Sequence, residues 1–274
     1  MFFPYAAETE REWEYRREQP IVVYTLIVIC TMVHIYLFTK LEAPVRIDLF
    51  YRFGVVKYDL RWYTFFTCTF LHGGWLHLIG NMYFLWLYGS SLERLLGSWR
   101  FVVLYAAGAL LSTLVHVLTV SPFFVGSPTI GASGAISAVL GAFFVLLPQA
   151  KLRCLIFFFL RPIMVTLPAW VVLGFWFVGQ LYYSLEPGLG AAEIAFWAHV
   201  AGFAAGTAVG TFLHRHSLRG LVELQQEYTR PVVEAWQSLL AGRTHAAADA
   251  YQRFRENEPE AEYRTDRPLL EGLL

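Results

Sequence analysis

Charged side chains are scarce in this sequence. Asp, Glu, Lys and Arg together make up 15% of its 274 residues, where a soluble domain carries about 25%. So few charges do not cover a water-facing surface, which excludes an ordinary soluble globule, a disordered chain and a coiled coil. Positive charge is not in excess either. Lys+Arg and Asp+Glu both number 21, so nothing stands ready to neutralise phosphates and no nucleic acid is expected as a partner. Cysteine is limited to Cys30, Cys68 and Cys154, too few and in too apolar a setting for a disulfide framework. No H-E-x-x-H string occurs, and His72 and His77 lack acidic neighbours, so neither a metal nor another cofactor is expected. The first twenty residues hold no apolar core followed by a small-residue cleavage site. No signal peptide is expected, and the first apolar segment is read as an insertion signal that stays. What abounds is apolar, with 57% hydrophobic and 17% aromatic residues. The remaining class is an all-α, polytopic membrane protein.

A helix needs about 20 mainly apolar residues to cross a hydrocarbon core of roughly 30 Å. Runs free of Asp, Glu, Lys and Arg extend over Pro20–Thr39, Trp62–Leu92, Phe101–Ala150, Pro162–Leu185 and Ile194–His214. The third is long enough for two helices, and Pro122, Gly126, Pro128 and Gly131 in its middle demand a loop. In the second, Trp62–Leu71 is half a span long and ends at His72-Gly73-Gly74, so it reads as interfacial and the helix starts near Trp75. The pattern predicts six spans, at about 20–39, 75–92, 101–120, 133–147, 163–185 and 194–213, in a membrane domain over residues 20–214. Residues 1–19 form a segment before it, and residues 215–274 a soluble tail. In the tail, Val232, Val233, Trp236, Leu239 and Leu240 recur at helical spacing and Gly242 offers a cap. That stripe suggests a small helical element that binds an unknown cytoplasmic partner or the chain's own core; the C-terminal end reads as loose.

Lys and Arg set the orientation. Arg11, Arg16 and Arg17 precede span 1, Arg94 and Arg100 follow span 2, Lys151, Arg153 and Arg161 follow span 4, and Arg215 and Arg219 follow span 6. The 3–4 and 5–6 loops have none. Both termini are therefore expected in the cytoplasm, with the cell (plasma) membrane as the site of residence. The 1–2 loop, with Lys40, Arg46, Arg52, Lys57 and Arg61, is long enough to escape the rule and is expected to fold at the outer surface.

Polar groups inside lipid are costly and mark functional sites by default. Span 4 opens with Gly131-Ala132-Ser133-Gly134, span 6 carries Ala198-His199 followed by Gly202, Gly206 and Gly210, and span 2 opens with His72, His77 and Asn81. At about 1.5 Å per helical residue, Ser133 and His199 each fall roughly 8–9 Å below the outer face. Two rows of small residues spaced by four, Ser133/Ser137/Gly141 and Ala198/Gly202/Gly206/Gly210, would let spans 4 and 6 approach closely. A serine hydroxyl needs a base to become a nucleophile, and histidine supplies one. No Asp or Glu lies in any span, so the chemistry would be a dyad. The Ser133 amide at a helix start, His77 and Asn81 are candidate donors to an oxyanion. His34 and His116 are read as packing residues.

Taken together, these motifs resemble the rhomboid intramembrane serine proteases. The matching residues are Gly131-Ala132-Ser133-Gly134, His199 with Gly202 and Gly206, and His77-x-x-x-Asn81, with Arg61-Trp62, Glu93-Arg94 and Gly97 as further family features. The resemblance covers roughly residues 20–214. It implies a six-helix fold, a Ser133–His199 dyad, and His77, Asn81 and the Ser133 amide as oxyanion donors. It also implies transmembrane segments of other proteins as substrates, cleaved near the outer face, with small residues and unstable helix favoured. The sequence departs from the family in two places: Ser137 stands where many members stack an aromatic on the histidine, and Gly80 stands where a bulky gate residue precedes the asparagine. Two other classes compete. An inactive rhomboid-like protein that binds or escorts membrane proteins typically lacks the dyad, and this chain has both members. A transporter or channel would show inverted repeats or buried charge, and neither is visible. The topology is open to direct test: accessibility reporters at residues 125, 155 and 260 are expected to read out, in and in, and a tail found outside contradicts the orientation.

Overall fold

The computed structural model describes residues 2–8, 19–119, 127–158, 161–185, 195–216 and 249. The chain divides into two compact units, Met1–Phe212 and Leu213–Leu274. The tail stripe, Pro122 and Gly126 of the 3–4 loop, Glu193 and Arg11, Arg16 and Arg17 lie outside the described residues.

The first unit is a bundle of apolar helices. Helix α1 (Ile21–Thr39) starts directly after Pro20 and buries Val23, Cys30, His34 and Leu37, a stripe at seven, four and three residues that marks one inward face. Its other faces expose Ile21, Val28, Met32 and Tyr36, as lipid contact requires. The 1–2 loop is folded, with α2 (Ala43–Phe53), the single turn α3 (Thr64–Thr67) and a 3-10 turn at Cys68–Phe70. The interfacial reading of Trp62–Leu71 thus corresponds to short helical turns. Helix α4 (Trp75–Phe84) passes through a π-helical turn at Leu85–Gly89 into α5 (Ser90–Leu96), a nearly continuous rod that runs four residues past the expected end. Gly97, at φ 79°, breaks the rod and starts α6 (Ser98–Thr119). Helices α7 (Ser133–Leu146), α8 (Ala169–Leu185) and α9 (Phe196–His216) complete the bundle. Among the described residues, α1, α6 and the Phe196–Arg215 stretch of α9 are long and apolar enough to cross a membrane, while α7 and α8 are shorter apolar helices.

One expectation is corrected. Span 5 does not begin at residue 163. Strands β1 (Phe2–Glu8), β2 (Lys151–Phe158) and β3 (Arg161–Pro168) form an antiparallel sheet in the order β1-β2-β3, with Leu152 opposite Leu167 and Cys154 opposite Val165. A charge-free run reports only on apolarity, which a strand and a helix share. The local signals favour the strand: Ile163, Val165 and Thr166 are β-branched, and Pro168, without an N–H, closes the strand at the start of α8. On β2, Lys151 and Arg153 are exposed while Leu152 and Cys154 are buried, the two-residue alternation of a half-covered strand. The segment after span 4 and part of the N-terminal segment are therefore sheet, added to the helical bundle.

The start of α1 depends on a residue seventy positions away. No residue of its own caps the helix, and its first turn has no acid. The Glu93 carboxylate, 2% exposed, accepts the N–H of Val22 at 3.0 Å, the N–H of Val23 at 2.9 Å and the Ser98 hydroxyl at 2.6 Å. Two of the orphan amides that every helix start leaves are thereby satisfied, and negative charge sits at the positive end of the helix dipole. One carboxylate thus ties α1, α5 and α6 together. Glu93→Ala strands these buried donors at a cost of about 1–3 kcal/mol each, so a clear fall in the thermal unfolding midpoint in detergent is expected, with a smaller fall for Glu93→Gln. An unchanged midpoint in both variants contradicts this role.

Candidate active site

Ser133 is the first residue of α7, and the segment that leads into it is held from two sides. Val55 of the 1–2 loop and Thr129 exchange backbone hydrogen bonds at 2.8 and 3.0 Å, and the Gly131 N–H donates to the Cys68 carbonyl at 2.9 Å. His116 of α6 adds a bond of 2.9 Å between its Nε2 and the Thr129 hydroxyl, so it does more than pack. Gly131 has φ 126°, a conformation open to glycine alone at little cost. A Cβ there would meet His77 Nε2 at 2.7 Å and lie 3.7 Å from Asn81 Nδ2. The bare glycine lets both α4 side chains come up against the backbone two residues before Ser133. Asn81 is 8% exposed, and its Nδ2 has no hydrogen-bond partner. His77 is exposed and meets the buried His72 ring edge-on at 5.1 Å. His34 stacks on Phe38 at 4.1 Å, in keeping with a packing role.

Helix α9 reaches the same place by backbone contact. A Cβ on Gly202 would overlap the Gly134 carbonyl oxygen, one on Gly206 would overlap the Ala138 oxygen, and one on Gly210 would lie 3.1 Å from the Ala142 Cα. The partners advance by four on both helices, so α7 and α9 run in the same direction with their backbones touching. The α9 row is the expected one. On α7, Gly134, Ala138 and Ala142 meet the α9 glycines, and the expected row takes part beside them: a Cβ on Gly141 would strike the Phe203 carbonyl of α9, and one on Gly202 would lie 3.1 Å from Ser137 Cβ. With Gly134 in the seam, Ser133 flanks it and turns toward His199, which flanks it on the other helix. Ser137 bonds back to the Ser133 carbonyl at 2.7 Å, as a membrane serine commonly does.

The result is a contact between two side chains 66 residues apart: His199 Nε2 lies 2.8 Å from Ser133 Oγ. The other ring nitrogen, Nδ1, lies 2.7 Å from Gln180 Oε1 of α8. Aromatic rings supply the surroundings that Ser137 does not. Trp176 of α8 lies 6.3 Å from the imidazole at an interplanar angle of 34°, and Phe196 of α9 lies 6.3 Å away edge-on. Neither Gln180 nor Trp176 was singled out in the sequence, although Gln180 is the one amide in an otherwise apolar α8. A hydroxyl bonded to an imidazole whose far nitrogen is also bonded is an arrangement able to transfer a proton away from the serine.

The rhomboid domain model matches residues 59–216, more than half of the chain. The chain belongs to the rhomboid family. It is similar to the presenilin-associated rhomboid-like protein A, mitochondrial, of Danio rerio, 39% identical over 84 residues that cover 31% of this chain and 22% of that protein. Rhomboid protein 1, mitochondrial, of Saccharomyces cerevisiae is 36% identical over 91 residues, 32% of this chain and 26% of that protein. The Bacillus subtilis protein YdcA, which carries a rhomboid-protease name, is 29% identical over 140 residues, 49% of this chain and 66% of that protein. The matches to the two mitochondrial relatives thus span about a quarter or less of their length.

The seam between α7 and α9 makes a sharp prediction. Gly206→Val drives a branched side chain into the Ala138 carbonyl, and overpacking of this kind costs about 1–3 kcal/mol or more. The unfolding midpoint is expected to fall and covalent labelling of Ser133 by a fluorophosphonate probe to be lost. A stable variant that labels like wild type contradicts the seam.

Proposed function

We propose that this rhomboid-family protein is an intramembrane serine endopeptidase that hydrolyses peptide bonds in or near transmembrane segments of other membrane proteins. The observation that carries the reading is the 2.8 Å contact between Ser133 Oγ and His199 Nε2. In this reading Ser133 Oγ attacks the scissile carbonyl carbon while His199 Nε2 takes the hydroxyl proton. The tetrahedral oxyanion is held by the Ser133 N–H, which heads α7 and has no intrahelical partner, and by His77 and Asn81. The buried, unpartnered Asn81 Nδ2 supports its role, because such a donor otherwise costs stability for nothing. As the intermediate collapses, the C–N bond breaks and His199 returns the proton to the leaving amine. Water then attacks the acyl-enzyme with His199 as base, releasing the second product and restoring Ser133.

Substrate is proposed to enter from the bilayer past α4. Gly80 offers no side chain on this helix, and a Cβ there would meet nothing within 4 Å. Placement in the cell (plasma) membrane with both termini cytoplasmic belongs to the same proposal and rests on the distribution of Lys and Arg. So does the division into a segment before residue 20, a membrane domain over 20–214 and a tail over 215–274 that binds a cytoplasmic partner.

Incubation of the purified protein with a panel of model transmembrane substrates tests the reading. Ser133→Ala and His199→Ala are expected to abolish cleavage and probe labelling while leaving the fold intact. Asn81→Ala and His77→Ala are expected to lower turnover by about 10²–10³ each, the typical loss for one oxyanion donor. Cleavage by Ser133→Ala at the wild-type rate rejects the mechanism, and absence of cleavage and labelling in wild type favours the inactive rhomboid-like reading.

A further inference from the structure

A neutral imidazole has one N–H and one lone pair, and which nitrogen carries which decides whether a neighbouring serine can give up its proton. For Ser133 Oγ–H to donate to Nε2, the ring proton must sit on Nδ1. Elsewhere a carboxylate commonly enforces this tautomer, but no Asp or Glu lies in α8 or α9 of this chain. What faces Nδ1 is Gln180, with Oε1 at 2.7 Å. We infer that Gln180 is a positioning residue for the reaction, holding His199 in the Nδ1–H tautomer and aiming Nε2 at Ser133; the inference rests on the proposed dyad.

The geometry of α8 supports it. Trp176 and Gln180 are four residues apart and so share one face of the helix. From that face the indole lies beside the imidazole ring, 6.3 Å between centroids, and the amide oxygen meets its Nδ1 edge. One side chain limits the tilt of the ring and the other fixes its rotation. The opposite amide orientation would present an NH2 group to Nδ1, move the ring proton to Nε2 and leave Ser133 without a base. Gln180 also differs from a carboxylate in a way that matters for pH. A neutral oxygen selects the tautomer without adding a full charge that would stabilise the imidazolium.

Two substitutions separate these contributions. Gln180→Leu keeps the bulk and removes the acceptor, and kcat is expected to fall by about 10–10² with KM unchanged. Gln180→Glu keeps an oxygen acceptor and adds charge. It should retain the Nδ1–H tautomer and shift the acid limb of the pH–rate profile to higher pH, since activity there rises as the imidazolium loses its proton. The tautomer is read independently of activity from the ring 15N shifts of histidine-labelled protein in detergent, with the His199 signal identified by its loss in His199→Gln. The expected result is an Nδ1–H ring in wild type and in Gln180→Glu, and a loss of that preference in Gln180→Leu. An Nε2–H ring in wild type overturns the inference, as does a Gln180→Leu variant with wild-type tautomer and kcat, or a Gln180→Glu variant whose acid limb does not move. Ser133→Ala run beside them distinguishes the two levels: its cleaving normally would reject the dyad while the 15N shifts still report on the hydrogen bond to Gln180.

Discussion

The backbone contact between α7 and α9 is the constraint on which the site depends. Lipid offers no hydrophobic drive for two apolar helices to associate, so what holds them is close packing, and that requires the absence of side chains at the seam. Gly202, Gly206 and Gly210 meet Gly134, Ala138 and Ala142 at spacings where a single added carbon would overlap a carbonyl or press on a Cα. The seam sets the separation and rotational phase of both helices together. Once it is formed, the residues on its flank at one end, Ser133 and His199, have little choice but to face each other at hydrogen-bonding distance.

The seam positions two side chains, but it does not shape the approach to Ser133. That falls to the 1–2 loop and α4. The pair Val55–Thr129 and the bond from Gly131 to Cys68 anchor the segment ahead of α7 to a folded, extramembrane-type element. The left-handed Gly131 then leaves room for His77 and Asn81. Elsewhere in the bundle, Glu93 caps α1 through its first two free amides while holding Ser98. Within a membrane, non-helical backbone is tolerated only where its polar groups are satisfied or face water. In this segment they are satisfied by partners far away in the chain, which makes the loop as much a part of the scaffold as the helices.

The chemistry available follows from the same scarcity of charge that places the chain in a membrane. A carboxylate next to the imidazole would need to be desolvated along with it, and burying ions is expensive. An amide on α8 provides an oxygen at the same nitrogen without that cost, and aromatic rings from α8 and α9 surround the ring where Ser137, occupied with its own backbone, does not. The support for His199 thus comes from a neighbouring helix, not from the helix of the serine.

Composition and spacing alone made the membrane class, the helical bundle and the residues that meet at the site legible. Each of those signals is a property of single residues or of one helix face: a missing charge reports the solvent, a four-residue row reports a packing face, and a polar group in an apolar run reports an interior. The tertiary structure decided everything that depends on a pair. Residues 163–168 read as the start of span 5 on apolarity, and the ladder partners on β2 make them a strand. Glu93 is an ordinary helical acid until the start of α1 arrives beside it. Gly134, Ala138 and Ala142 join the expected Gly141 in the seam because α9 packs over their backbone, which a row of small residues on one helix does not reveal. Gln180 is a lone amide until α9 brings an imidazole nitrogen to its oxygen. Hydrogen bonds join atoms that the chain separates by tens of residues, and periodicity along a segment does not encode which distant segment will supply the other half.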